Sequence, residues 1–314
     1  MRAVGVQEFG GPEALRLLDV PEVHAGPGQV RIAVRAATVN PTDTYARNGT
    51  YAKREGAPQE MPWIPGMDVA GVVDEIGPST DTDLAVGEHV MAVVVPSGAH
   101  GGYREQVALP AGSVTRVPAG VDDVTASTLP MNGLTARLAL DTMALAPGSV
   151  LAVTGAAGAF GGYVIQLAKL EGLTVVADAS EADVDLVRGL GADEVLPRGN
   201  GFAAAVRDRY PDGVDGLADG SVQDAAVLPA VKDGGVVVTV RGYRGDGSRD
   251  LRVHPVFVGS VAEDHVALDR LREQVESGQL TLRVAGTVPA AQAADAHRRL
   301  EAGGVRGRLV LDFG

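Results

Sequence analysis

Residues 150–161 read VLAVTGAAGAFG. A run of apolar and β-branched residues, Val150 to Thr154, enters a turn built from Gly155, Ala156, Ala157, Gly158, Ala159, Phe160 and Gly161, and a helical pattern follows over 160–170. Small residues at this point answer three physical demands. The strand must turn tightly into the helix, the backbone must come close to a pyrophosphate, and the helix must offer its first N–H groups and positive dipole end to the phosphates. Ala156 stands where the common fingerprint carries its first glycine. A small-residue turn alone is equally compatible with a tight connection that binds nothing, so its surroundings decide.

Those surroundings are repetitive. Strand patterns fall at 174–177, 194–196, 216–218 and 235–240, and helical patterns at 181–190, 202–209 and 223–231. This alternation predicts an α/β fold with a Rossmann-type, doubly wound parallel sheet covered by helices on both faces. In that setting the turn is a dinucleotide site, with residues 155–161 as cofactor ligands. Asp178, at the end of the second strand, is the expected ligand of the ribose hydroxyls of NAD, while Ser180 suits a 2′-phosphate. Arg198, after the third strand, is placed to add a charge-assisted bond near the adenine ribose; Glu181 and Asp183 argue against a phosphate if they face it. Val240, Arg241 and Gly242 close the fifth strand, where the crevice of such a sheet opens toward the nicotinamide. The expected cofactor is NADPH, with NADH as the alternative.

Outside this region the pattern changes. Strands are expected at 30–39, 68–76 and 88–95, separated by Gly and Pro turns, which reads as a small and strongly bent β domain. Two helices, at 266–277 and 290–302, and a strand at 307–313 close the chain. The expected organisation is a substrate domain over 1–121, the dinucleotide domain over 122–259, and a return to the substrate domain over 260–314.

Composition removes several classes. The formal charge is −13, from 40 acidic and 27 basic side chains, which repels phosphate backbones and speaks against nucleic acid as a partner. There is no cysteine, so no disulfide, thiolate nucleophile or iron–sulfur cluster. No apolar run of signal-peptide or membrane-spanning length stands out, so the expectation is a cytoplasmic protein without a membrane partner.

Five further stretches share one resemblance. Residues 40–51 read NPTDTYARNGTY, 62–77 PWIPGMDVAGVVDEIG, 87–90 GEHV, 101–107 GGYREQV and 133–136 GLTA. With the small-residue turn and the closing GRLVL of 307–311, the chain resembles the zinc-independent quinone oxidoreductase and ζ-crystallin branch of the medium-chain dehydrogenases/reductases. The resemblance covers nearly the whole chain, and it implies a GroES-like, strongly bent β-rich substrate domain beside the Rossmann domain. It also implies a homodimer, with 255–258 as the expected pairing region. Zinc-dependent relatives carry Cys in the place of Asn40 and His in the place of Met67, and neither residue here replaces such a ligand, so no metal is expected. Without a Lewis acid, hydride delivery to a quinone or α,β-unsaturated carbonyl is the easier chemistry, because the arriving charge spreads onto an oxygen that hydrogen-bond donors can hold.

The resemblance places Tyr45 and Tyr51 in the substrate cleft as donors to that oxygen, against aromatic packing as the alternative. Asn40 is expected near the nicotinamide with its amide aimed at the oxyanion, or else as a turn former before Pro41. Thr42 stands where zinc-dependent relatives relay protons, and Thr135 of GLTA is expected on the cofactor, against a helix-interior Thr bonding its own backbone. Residues 52–61 are expected to border the cleft. Two other readings stay open: a biosynthetic enoyl reductase acting on a bulky or tethered intermediate, and an NADPH-binding sensor or structural protein with little turnover.

Overall fold

The computed structural model describes residues 1–314 except Glu55 and Gln59. These two fall inside the stretch expected to border the cleft, so that expectation lies in part outside the described residues. The chain forms two compact units: Met1–Met131 with Gly259–Ser277 and Leu282–Gly314, and Asn132–Val258 with Gly278–Thr281. The expected first boundary, after residue 121, moves to 131. Within 122–131 Asp122 caps the short helix Asp123–Ala126 through the Thr125 N–H at 2.7 Å, and two bonds join this segment to the first unit. The Ser127 carbonyl accepts the Thr38 hydroxyl at 2.7 Å, and the Met131 N–H goes to the Asp68 carboxylate at 2.5 Å.

The first unit is organised around Gln29–Val39, whose alternating burial gives it one core face over its first half. It pairs antiparallel with Asp68–Ile76, Gln106–Pro110 and Arg308–Asp312. The sheet continues through His89–Val93 to Val114–Arg116 on one side, and through a parallel pair with Val284–Pro289 on the other. Register shifts between Gln29–Val39 and Asp68–Ile76, at Arg31/Ile32 and Val34/Ala36, are bulges that bend the sheet. At Gly71 a Cβ would stand 2.1 Å from the Ala33 carbonyl, so the close approach of these two strands requires glycine. Trp63, Ile32, Ile64, Tyr103 and Leu109 fill the core.

The second unit holds six parallel strands in the spatial order Glu194–Pro197, Thr174–Ala179, Val150–Thr154, Val214–Asp219, Val231–Thr239, Arg252–Pro255. Numbered along the chain this is the Rossmann order 3-2-1-4-5-6, with its reversal between Val150–Thr154 and Val214–Asp219. The helix expected over 223–231 is only a run of 3-10 turns, Asp224–Ala230, interrupted by Pro229, whose missing N–H cannot extend an α-helix. The sixth strand was not expected: four residues, RVHP, carry too little apolar alternation to announce themselves.

Candidate active site

In the second unit the small-residue turn sits at the strand reversal. Gly155 adopts φ 65°, a left-handed conformation, and an added Cβ would meet Gly220 at 2.9 Å. Gly158 opens the helix Ala159–Leu170 with no side chain to cap it, so the first-turn N–H groups and the positive helix end are offered to an anion lying over the turn. At Gly161 a Cβ would stand 2.5 Å from the Gly155 carbonyl, so glycine there lets the helix pack against its own turn. Ala156 is wholly buried beneath the turn, and Phe160 packs on Gly220. The neighbouring strand ends are pinned by a buried bond from the Thr154 hydroxyl to Asp219 at 2.6 Å.

Two expected ribose ligands are otherwise engaged. The Asp178 carboxylate is buried and accepts the Ala156 N–H at 3.0 Å, with Gly155 N–H adding to it. Burial raises its pKa, opposed by these N–H groups and by Arg198. Asp178 therefore holds the turn in shape, because the left-handed Gly155 presents turn N–H groups to its carboxylate. The Ser180 hydroxyl, expected on a 2′-phosphate, donates to the buried carboxylate of Asp183. Arg198 is exposed, its N–H bonded to the Ala179 carbonyl at 2.9 Å at the end of the second strand. Thr135 is buried in the helix Pro130–Met143. Val240 is half-buried just past the fifth strand, Arg241 is exposed, and Gly242 takes φ 93°.

In the first unit, Tyr45, Tyr51, Thr42 and Met67 come together. The two tyrosine rings meet edge to face with centroids 5.7 Å apart, and the Arg54 guanidinium lies 4.2 Å from the Tyr51 ring centroid. The Thr42 hydroxyl is 3.0 Å from the Met67 sulfur and lies near enough to the Tyr51 phenol to favour its ionised form. Burial, and after it the charge of Asp43, raise the pKa of Tyr51, against the pull of Arg54 and Thr42. The phenol is thus held protonated.

Asn40 does not join this group as expected. Its side chain is wholly buried, and its amide nitrogen gives one hydrogen to the Asp68 carboxylate at 2.7 Å and one to the Thr38 carbonyl at 3.3 Å. Its amide oxygen accepts from Arg308. The reading of Asn40 as an oxyanion donor is therefore corrected: a buried carboxylate needs donors and takes the amide.

Two buried carboxylates escaped the sequence reading. Asp68 accepts from Asn40 and from the Met131 N–H, with Arg308 3.9 Å away; burial raises its pKa to about 6, opposed by Arg308, Asn40 and Met131. Asp43 accepts from the Asn40 N–H at 2.7 Å, the Gly66 N–H at 3.0 Å and the Tyr103 hydroxyl at 2.9 Å. Burial drives its pKa up to about 7 against these donors. Behind Tyr103 stand His297, 3.2 Å from the Tyr103 oxygen, and Arg47, 3.1 Å from the other His297 nitrogen. The available sign was an acid inside an otherwise apolar run, as in IPGMDVAGVV, which a chain tolerates only where the acid is fully partnered.

The sequence and the fold agree with known proteins. The model of the alcohol dehydrogenase GroES-like domain matches residues 26–119, and that of the zinc-binding dehydrogenases matches 190–311. The chain is 32% identical over 323 residues to the NADPH-dependent alkenal/one oxidoreductase of Arabidopsis thaliana chloroplasts, covering 99% of this chain and 79% of that one. It is 29% identical over 333 residues to the quinone oxidoreductase of Homo sapiens, covering 99% and 97%. A mycobacterial protein solved in complex with NADPH superposes with a TM-score of 0.87 at 29% identity, covering 99% and 100%. The chain belongs to the quinone oxidoreductase branch of the medium-chain dehydrogenase/reductase family, and it is an oxidoreductase.

Proposed function

We propose that this chain is an NADPH-dependent reductase of quinones and α,β-unsaturated carbonyls that works without zinc. The observation that carries the reading is the meeting of the Thr42 hydroxyl, 3.0 Å from the Met67 sulfur, with the packed Tyr45 and Tyr51 rings. Bound NADPH supplies the hydride, and the turn of residues 155–161, with Arg198 near the adenine end, would hold it. The Thr42 hydroxyl donates to the Met67 thioether, a weak acceptor that it can exchange for the nearby Tyr51 oxygen. When it turns to Tyr51, the phenolic hydrogen is released to a third group, the oxygen on which charge gathers as the acceptor is reduced. Tyr45 supports the Tyr51 ring edge to face.

The donor chemistry does not fit zinc. Asn40 spends its amide on Asp68, Thr38 and Arg308, so a cation already occupies the carbonyl a metal would need. Met67 offers a thioether, and no group of three or more His, Cys, Asp or Glu among the described residues is placed to hold a metal. No step here is routed through a metal. A cytoplasmic setting is part of the proposal; no helix among the described residues is long and apolar enough to cross a membrane. A homodimer with 255–258 as the pairing region is part of the proposal; the outer strand Arg252–Pro255, which runs into that stretch, pairs with Val231–Thr239 on its inner side.

The test is nucleotide consumption. Purified protein with NADPH or NADH is offered 1,4-benzoquinone, 9,10-phenanthrenequinone and a panel of enones, following the reduced nicotinamide absorbance. Enzyme-dependent oxidation above the uncatalysed background, faster with NADPH, is expected. Tight NADPH binding with no turnover on any acceptor would instead point to a sensor.

A further inference from the structure

We infer that Asp43 is a positioning residue for this site: its carboxylate, fixed at the end of a buried chain of donors that begins at Arg47, holds Thr42 against Met67 beside Tyr51 and sets a negative field at the Tyr51 phenol. The inference rests on the reading of Tyr51 as donor.

The chain of donors has one self-consistent direction. Tyr103 gives its hydrogen to Asp43, so its oxygen must accept from His297 Nε2–H. His297 Nδ1 then carries a lone pair and accepts from Arg47, a permanent cation. Neutral imidazole in the Nε2–H form is required, and the imidazole pKa is pushed down to about 3, first by burial and then by the Arg47 charge. Arg47 is anchored in turn on the Gly10 carbonyl and on Glu301. The network is a buried Arg⁺/Asp⁻ pair separated by two neutral relays, each donating toward the carboxylate.

What Asp43 fixes is close to the chemistry. It is the first residue of the helix Asp43–Arg47, next to Thr42 and two positions before Tyr45. Its two oxygens tie the Asn40 N–H, before Thr42, to the Gly66 N–H, before Met67, so that Thr42 and Met67 face each other at 3.0 Å. The charged and titratable groups acting on Tyr51 are Asp43, Arg54 and Tyr45, with the Thr42 hydroxyl. Among these Asp43 is the carboxylate, and it opposes ionisation of the phenol. His297 and Glu301 lie on Ala293–Glu301, so the returning C-terminal segment completes the support.

The experiment is the pH profile of kcat/KM for trans-2-hexenal at saturating NADPH, for wild type, Asp43→Asn and Tyr51→Phe. Tyr51→Phe separates the two claims: if it retains wild-type kcat/KM and its alkaline limb, the donor assignment of Tyr51 fails, whatever Asp43 does. With Tyr51 intact, Asp43→Asn is expected to move the alkaline limb to lower pH by on the order of half a pH unit or more, since a neutral amide no longer opposes phenolate formation. A role confined to folding would lower activity without moving the limb, and an unmoved limb overturns the inference. If Asp43→Asn does not fold, Tyr103→Phe carries the test. It keeps the charge and removes the hydroxyl that shares it, so the limb is expected at higher pH, and a limb unchanged or shifted downward overturns the inference.

Discussion

The dinucleotide turn of the second unit and the tyrosine cluster of the first are built by opposite means. The dinucleotide half is backbone: a left-handed Gly155, a glycine-opened helix, and Gly161 where no Cβ fits. The acceptor half is side chain: two buried carboxylates, each wrapped by donors arriving from distant parts of the chain. A backbone site depends on which atoms are absent, and any added atom damages it. A side-chain site depends on which atoms are present, and it fails when a donor is withdrawn and a carboxylate is left buried alone.

The first prediction tests the backbone region. Gly161→Ala adds one methyl 2.5 Å from the Gly155 carbonyl and should weaken NADPH binding at least tenfold by calorimetric titration. Unchanged affinity would mean that the turn does not define the nucleotide site. Next comes Asp68→Ala, which strips Asn40, the Met131 N–H and Arg308 of their common partner. Breaking a buried pair in this way costs about 3–5 kcal/mol, read by urea unfolding, and a loss below about 1 kcal/mol would show that the carboxylate is solvated and not structural.

His297→Gln sharpens the same half through pH. His297 titrates near 3 when folded and at about 6.5 when unfolded. Between those values the unfolded chain binds the extra proton, so the contribution of His297 is full above about 6.5 and is lost as pH falls toward 3. Asp43 and Asp68, with raised values, slope the other way as pH rises, but both proteins share them. The stability difference in favour of wild type should therefore shrink by about 1.4 kcal/mol per pH unit from pH 6 to pH 4 and stay flat above 7. A difference independent of pH would place a solvated imidazole there. The smallest effect is Arg198→Ala, where loss of one exposed charge should raise KM for NADPH roughly three- to tenfold and leave KM for NADH alone. Equal changes for both nucleotides would remove Arg198 from the 2′-phosphate.

This contrast also explains what was legible. The Rossmann sheet could be read because its strands, its turn and its helices are local patterns of spacing, and Phe202–Arg209 fell where the pattern put it. The acceptor half was legible only at the level of motif: Tyr45, Tyr51 and Thr42 do come together, but what supports them could not be read. Tyr103 reaches Asp43 across 60 positions, His297 reaches Arg47 across 250, and Arg308 reaches Asn40 across 268. No spacing rule spans such distances, and Asn40 was misread for that reason: its amide looked available until Asp68 and Arg308 were seen around it. Asp178 shows a different limit. Its position at the strand end was right, but a residue's place along a strand does not say which way a carboxylate turns when a neighbouring turn offers N–H groups.

The most direct measurement is turnover of trans-2-hexenal with NADPH before and after exhaustive chelation, with metal content determined on the same samples. A reductase that relies on the Tyr51 phenol and Thr42 should reduce the alkenal at the same rate in both. Activity that vanishes on chelation and returns with added zinc would contradict the account, because the oxygen would then be held by a metal and not by the hydroxyl pair.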